Sequence, residues 1–91
     1  GDSILGNNVS FGAGAKLANL RFDHKEIKIK YQKKMIFSHL KRLGSIVGDN
    51  GRLGCNSVMN PGTVLGKKCF VYPLAYVKSS FYSSNSIIKN G

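Results

Sequence analysis

The chain has 91 residues, enough for one domain. Its net charge is +10, from 14 Lys and Arg against 4 Asp and Glu, so an anionic ligand or partner is implied. No run of about 18 apolar residues occurs, which excludes a membrane-spanning helix, and no membrane partner is expected.

In residues 3–17 an apolar side chain returns every sixth position, at Leu5, Phe11 and Leu17, with the smaller Val9 and Ala15 between them. Strand side chains alternate between faces with a period of two. A period of six is therefore one short strand plus one corner, and three such units close a triangular coil of about 18 residues. A helix would need apolar positions three and four apart, and these are lacking. The unit predicts a coil of parallel β-helix over residues 3–17.

Residues 18–46 leave this pattern. They read as a basic insertion that protrudes from the coil. Ile27, Ile29 and Tyr31 alternate with Lys28 and Lys30, as in a half-buried strand. Gln32, Lys33 and Lys34 are expected to turn the chain, and Met35-Ile36-Phe37 to return it as the second strand of a β-hairpin. Eight basic residues lie here (Arg21, Lys25, Lys28, Lys30, Lys33, Lys34, Lys41 and Arg42) against Asp23 and Glu26, so the insertion carries +6 of the +10. Lys33 and Lys34 read as a charged hairpin tip.

Residues 47–77 resume the repeat with Val47, Leu53, Met59, Leu65, Val71 and Val77. Four positions after each of the first five stands a small residue: Gly51, Ser57, Thr63, Cys69 or Ala75. The large residue is expected on the prism axis and the small one at the corner. Gly48, Gly54, Asn60 and Gly66 follow four of the axial residues, and are expected to be the turn positions with positive φ. Residues 78–91 lose the register. Lys78 to Ser84 read as a polar loop, Ser86-Ile87-Ile88 as a last strand, and the whole as a tail that covers the open end of the solenoid. The fold class expected is all-β, a left-handed parallel β-helix of about three coils with a protruding hairpin. So few coils bury little surface, which favours self-association.

Cys69 occupies a small-residue slot and reads as a packed thiol. Cys55 and Cys69 form no CxxC pair, and no histidine stands at ligand spacing, so no metal is expected. A disulfide is not required, which fits a reducing cytoplasm. His24 and His39 fall in the insertion and are not read as bases.

The blocks Ser3-Ile4-Leu5-Gly6-Asn7-Asn8-Val9-Ser10-Phe11-Gly12-Ala13-Gly14, Ala18-Asn19-Leu20-Arg21-Phe22-Asp23, Leu43 to Asn50 and Met59 to Gly66 resemble the C-terminal domain of bifunctional sugar-1-phosphate nucleotidylyltransferases. The resemblance covers residues 3 to about 77. It implies a β-helix that transfers an acetyl group from acetyl-CoA to an amino sugar phosphate, working as a homotrimer with donor and acceptor held between neighbouring prisms. It places Asn19 in the acetyl-transfer site, and Lys25 and Lys28 on the sugar phosphate or in the chemistry. Asn19 and Lys28 are thus the candidate catalytic pair, Lys25 and Lys28 the candidate substrate-phosphate ligands, and Lys41 and Arg42 the candidates for the CoA phosphates. Hydrogen-bond donors suit this chemistry because attack of an amine on a thioester creates an oxyanion.

The resemblance also places the family's catalytic histidine on a coil before Gly1. The chain is therefore expected to be a fragment of a longer enzyme, inactive alone. Two other readings stand beside the transferase: a non-catalytic trimerisation β-helix, and a basic nucleic-acid-binding module. The last has charge and nearby aromatic residues (Phe22, Tyr31, Phe37) but no recognisable nucleic-acid motif.

Overall fold

A strand of two residues followed by a turn cannot fold alone, because its hydrogen bonds and apolar side chain both need a neighbour. Stacking identical units supplies both. The computed structural model describes residues 2–31 and 34–89. The first coil holds β1 (Ile4–Leu5), β2 (Ser10–Phe11) and β3 (Lys16–Leu17). The insertion follows with β4 (Lys28–Tyr31) and β5 (Lys34–Phe37). The second coil holds β6 (Ile46–Val47), β7 (Arg52–Leu53) and β8 (Val58–Met59), and the third β9 (Val64–Leu65), β10 (Phe70–Val71) and β11 (Tyr76–Val77). Strands β12 (Phe81–Tyr82) and β13 (Ile87–Ile88) make two sides of a fourth.

Every sheet of the prism is parallel, in the orders β1-β6-β9-β12, β2-β7-β10-β13 and β3-β8-β11. This is the left-handed β-helix of hexapeptide repeats. The registers stack Leu5, Val47, Leu65 and Tyr82 in one axial column, Phe11, Leu53, Val71 and Ile88 in the second, and Leu17, Met59 and Val77 in the third. Val47, Leu53, Met59, Leu65, Val71, Val77 and Ile88 are buried and form one core with Cys69 and Ala75. In the first coil Leu5 and Phe11 keep 48% and 42% of their surface, because a coil packs on only one side of them among the described residues.

The corners explain the rest of the repeat. The amides of Gly51, Ser57, Thr63 and Ala75 donate to the carbonyls three residues back, at 3.2–3.3 Å. Ser57 Oγ and Thr63 Oγ1 donate to those same carbonyls, Gly54 O and Asn60 O, both at 2.7 Å. Ser45 is also buried, but it follows the insertion instead of a turn, and its hydroxyl has no partner among the described residues.

Positive φ does not fall on Gly48, Gly54, Asn60 or Gly66. It falls two residues later, at Asn50, Asn56, Gly62 and Lys68, and likewise at Asn8, Gly14, Leu74 and Asn85. This is the third position of the turn, where a type II geometry demands it. Gly48 and Gly54 are required for another reason, close approach: a Cβ on Gly54 would lie 2.4 Å from Pro73 N.

Leu74 has φ 64° and is 75% exposed, so it bears left-handed strain and buries little in return. Replacing it by asparagine, which tolerates that region, is expected to stabilise the fold by about 1 kcal/mol. The urea midpoint measures this, and an unchanged or lower midpoint would contradict the strain.

Residues 78–89 are not a separate cap. They continue the coil, with β12 paired to β9 and β13 to β10. The pattern hid this because Val77 and Tyr82 are five positions apart, and the missing position is the one that elsewhere carries positive φ. Tyr82 fills the axial slot and its phenol donates to Lys78 O at 2.8 Å; burial pushes its pKa up. Asn90 and Gly91 lie outside the described residues.

The insertion is a hairpin with β4 and β5 antiparallel, in the register Lys28↔Phe37 to Tyr31↔Lys34. Lys34 belongs to the returning strand and not to the turn, since it pairs with Tyr31. Gln32 and Lys33 lie outside the described residues. At the base, Leu43 N donates to Asn19 O, Leu20 bridges Arg42, and Ile27 N donates to Leu40 O. Ile27 is wholly buried, whereas Met35, Ile36 and Phe37 of the returning strand stay about half exposed.

Candidate functional site

The breaks in the six-residue spacing fall on one corner of the prism, between the third sheet and the first. In the first coil the insertion leaves there after Leu17. In the second the corner holds Gly62, with φ +85°. In the third the corner is a residue short. At the other two corners the residue after the axial one is glycine at five positions, Gly6, Gly12, Gly48, Gly54 and Gly66, each pressed on the next coil's backbone, and Tyr72, Ser83 or Lys89 at the other three. Here that column is Ala18, Asn60 and Lys78, joined by Ala18 N→Met59 O and Asn60 N→Val77 O.

The insertion is clamped onto this corner. Gly62 has no side chain, and a Cβ there would lie 2.8 Å from Lys28 O and 3.0 Å from Ile27 Cγ2. Ile27 packs into this notch, so the backbone of β4 runs directly over the corner. A cleft of about 580 Å³ opens between them. From the insertion side it is lined by Leu20, Arg21, Phe22, Asp23, Ile27 and Lys28. From the prism it is lined by Ala18, Asn60, Pro61, Tyr76, Lys78 and Ser79. A cavity of this size, apolar with a few placed charges, suits a small ligand.

Among the described residues, the charged ones that line it are Arg21, Asp23, Lys28 and Lys78. Arg21 holds Asp23 bidentately, Nε to Oδ1 at 2.9 Å and Nη2 to Oδ2 at 2.6 Å. That hydrogen bonding, with a further one from Lys25 N, keeps the Asp23 carboxyl below the usual carboxylate range. Asp23 is therefore a poor proton acceptor. Lys28 Nζ rests 5.3 Å from the Phe37 ring centroid, a contact that steadies the ammonium without neutralising it. Tyr76 Oη donates to Asn60 Oδ1 at 3.3 Å, and Asn60 Nδ2 donates to Val77 O at 2.8 Å, so both side chains on the prism wall are oriented.

Of the residues singled out in the sequence, Lys28 lines the cleft. Asn19 does not: it is half-buried at the neck of the insertion, where its Nδ2 donates to Asp2 Oδ2 at 2.7 Å. Lys25, Lys41 and Arg42 are exposed and outside the cleft wall. His39 lies beside Glu26, Nδ1 to Oε2 at 4.0 Å, and neither it nor His24 reaches the cleft. Asn60, Tyr76 and Lys78 were missed. Counting by one coil would have found two of them, since Asn60 and Lys78 are 18 positions apart at the corner where the insertion departs.

No family model matches the chain. Among curated proteins it is 43% identical, over 85% of its length, to a bifunctional sugar-1-phosphate nucleotidylyltransferase/acetyltransferase of Sulfurisphaera tokodaii. It is 35% and 33% identical, over 98% of its length, to the bifunctional proteins GlmU of Methanocaldococcus jannaschii and Methanococcus maripaludis. The matched region is 19% of the first of these proteins, 22% of the second and 21% of the third, so the chain spans about a fifth of their length. No helix of the described residues is long and apolar enough to cross a membrane. With the repeat, the parallel prism and these identities in agreement, the chain is a homologue of the GlmU-type bifunctional sugar-1-phosphate nucleotidylyltransferase/acetyltransferases and corresponds to their C-terminal acetyltransferase part.

Proposed function

We propose that this chain is the acetyltransferase module of a longer cytoplasmic enzyme, taking acetyl-CoA as donor and an amino sugar phosphate as acceptor and assembling as a homotrimer. The observation that carries the reading is the 43% identity over 85% of the chain to a protein named for acetyl transfer. The basic cleft supports it, because both substrates are phosphorylated. In the reaction the amine nitrogen bonds to the thioester carbonyl carbon, the carbon–sulfur bond breaks, and the proton shed by the amine ends on the CoA thiol. The transient oxyanion needs donors. Asn19 and Lys28 are assigned that neighbourhood, Lys25 and Lys28 the sugar phosphate, and Lys41 with Arg42 the CoA phosphates.

The test is titration calorimetry at 0.1 M salt with CoA and with glucosamine 1-phosphate, beside light scattering for the trimer. Both ligands are expected to bind, and the double substitution Lys25→Ala, Lys28→Ala is expected to weaken glucosamine 1-phosphate about tenfold or more. One observation favours the non-catalytic alternative: among the described residues the cleft is lined by no histidine, and the one carboxylate lining it is locked to Arg21. An intact trimer that binds neither ligand would establish that alternative and reject ours.

A further inference from the structure

The two strands of the inserted hairpin have different surroundings. Strand β4 is the inner one: it lies against β12, Ile27 just before it is wholly buried, and Ile29 is half-buried. Strand β5 is the outer one, and among the described residues no strand pairs with its far edge. Yet β5 is apolar at three consecutive positions, where Met35, Ile36 and Phe37 keep 52%, 46% and 55% of their surface. Successive side chains of a strand point to opposite faces. Met35 and Phe37 therefore share one face with their register partners Lys30 and Lys28, and Ile36 shares the other with Lys34.

That distribution restricts what can cover the strand. A protein surface laid on the hairpin buries one face and leaves the other in water. A strand added at the edge pairs with the backbone and leaves the side chains of both faces where they are. A lipid layer entered edge-on surrounds both faces at once. The charge agrees with a lipid layer that is anionic. Lys28, Lys30 and Lys34 are exposed beside the apolar residues, none of them is in an ion pair among the described residues, and the insertion as a whole carries +6. Their long stems let the ammonium groups stay among headgroups while shorter apolar side chains sit deeper. The open backbone edge limits the depth to the headgroup–acyl boundary, where water still reaches the amides.

We propose that β5 is a docking edge for an anionic lipid bilayer: Met35, Ile36 and Phe37 enter the headgroup–acyl boundary, and Lys30 and Lys34 hold the headgroups. Docking of this kind lies on the bilayer without crossing it, so it needs no membrane-spanning helix. It is independent of acetyl transfer, since none of these five residues lines the corner cleft.

Co-sedimentation with vesicles tests this, using phosphatidylcholine alone and phosphatidylcholine with about 30% phosphatidylglycerol, at about 0.1 M salt. The unchanged chain is compared with three double variants: Met35→Ser with Phe37→Ser, Lys30→Gln with Lys34→Gln, and Lys67→Gln with Lys68→Gln. The last removes the same charge from another corner of the prism. All six residues are exposed, so each variant is expected to keep the thermal midpoint of the parent. The parent is expected to pellet with the anionic vesicles and not with phosphatidylcholine alone. The glutamine pair at 30 and 34 and the serine pair each lower partitioning roughly tenfold or more, and the pair at 67 and 68 lowers it far less. An equal loss in the 67 and 68 control means adsorption by net charge and overturns the docking edge. So does a serine variant that binds like the parent, because its apolar residues then stay in water. Light scattering covers a second copy of the chain as occupant: if the parent forms an assembly that the serine variant does not, β5 is an interface between copies. Parent binding to polyglutamate that the serine variant loses assigns β5 to an acidic protein instead. Either result overturns the lipid. A parent that ignores the vesicles but binds CoA overturns the docking edge and leaves the transferase reading standing.

Discussion

A chain carrying Leu53→Asp is expected not to fold. Leu53 is 2% exposed and lies in an axial column between Phe11 and Val71, which are its register partners on either side. Three sheets close around that axis, so a carboxylate there meets no water and no cation. The desolvation penalty of an unpaired buried charge is several kcal/mol even after relaxation. Whole domains of this size are stable by only about 5–15 kcal/mol. The milder Leu53→Ala leaves a cavity and should cost about 3 kcal/mol. Far-ultraviolet circular dichroism with a thermal scan reads both. An aspartate variant that melts cooperatively at the parent temperature would mean that the side chain does not point inward.

The second large effect is expected at Gly54, from a single methyl group. A Cβ at this position would stand 2.4 Å from Pro73 N and 2.6 Å from Tyr72 C. Both are backbone atoms of the next coil, so no rotamer change relieves the overlap and the coils must separate locally. Separation lengthens the ladder bond Gly54 N→Val71 O, now 2.8 Å. Gly54→Ala should therefore cost about 3 kcal/mol or more, at the upper end for overpacking. Gly51 is a useful comparison. Its Cβ would meet a side-chain atom, Val47 Cγ1 at 2.8 Å, with the nearest backbone atom at 3.3 Å. The penalty at Gly51 should be smaller, and denaturant midpoints for the pair decide it. Equal and slight losses would show that coil spacing is set by something other than this contact.

The two predictions draw on different sources. The Leu53 result is foreseeable from periodicity, because one apolar residue in six can only mean an axis. The Gly54 result is not, since the residue needs glycine for its distance to Pro73 and Tyr72, which are 18 or 19 positions away in sequence. Read locally, the same glycine looks like a turn residue with positive φ, a role that Asn56 fills instead.

The site divides in the same way. Lys28 is visible as part of an alternating basic strand, and it is among the residues that line the cleft. Asn19 was singled out by resemblance, and its contact with Asp2 Oδ2 spans 17 positions that no local pattern connects. Lys78 opens the stretch that a one-residue deletion between Val77 and Tyr82 takes out of the count by sixes, which makes a continuing coil look like a polar tail.

The amino-acid order by itself determined the prism, because a repeated unit of strand and corner admits few ways of burying one side chain in six. It also determined that an insertion rich in lysine leaves after Leu17. The tertiary structure alone decided where that insertion lies. Ile27 finds its burial in the notch above Gly62, and that placement brings Lys28 to the same cleft as Lys78. Burial of a single side chain against a distant glycine depends on how coils stack in space, and stacking is a relation between segments that no window of the chain contains.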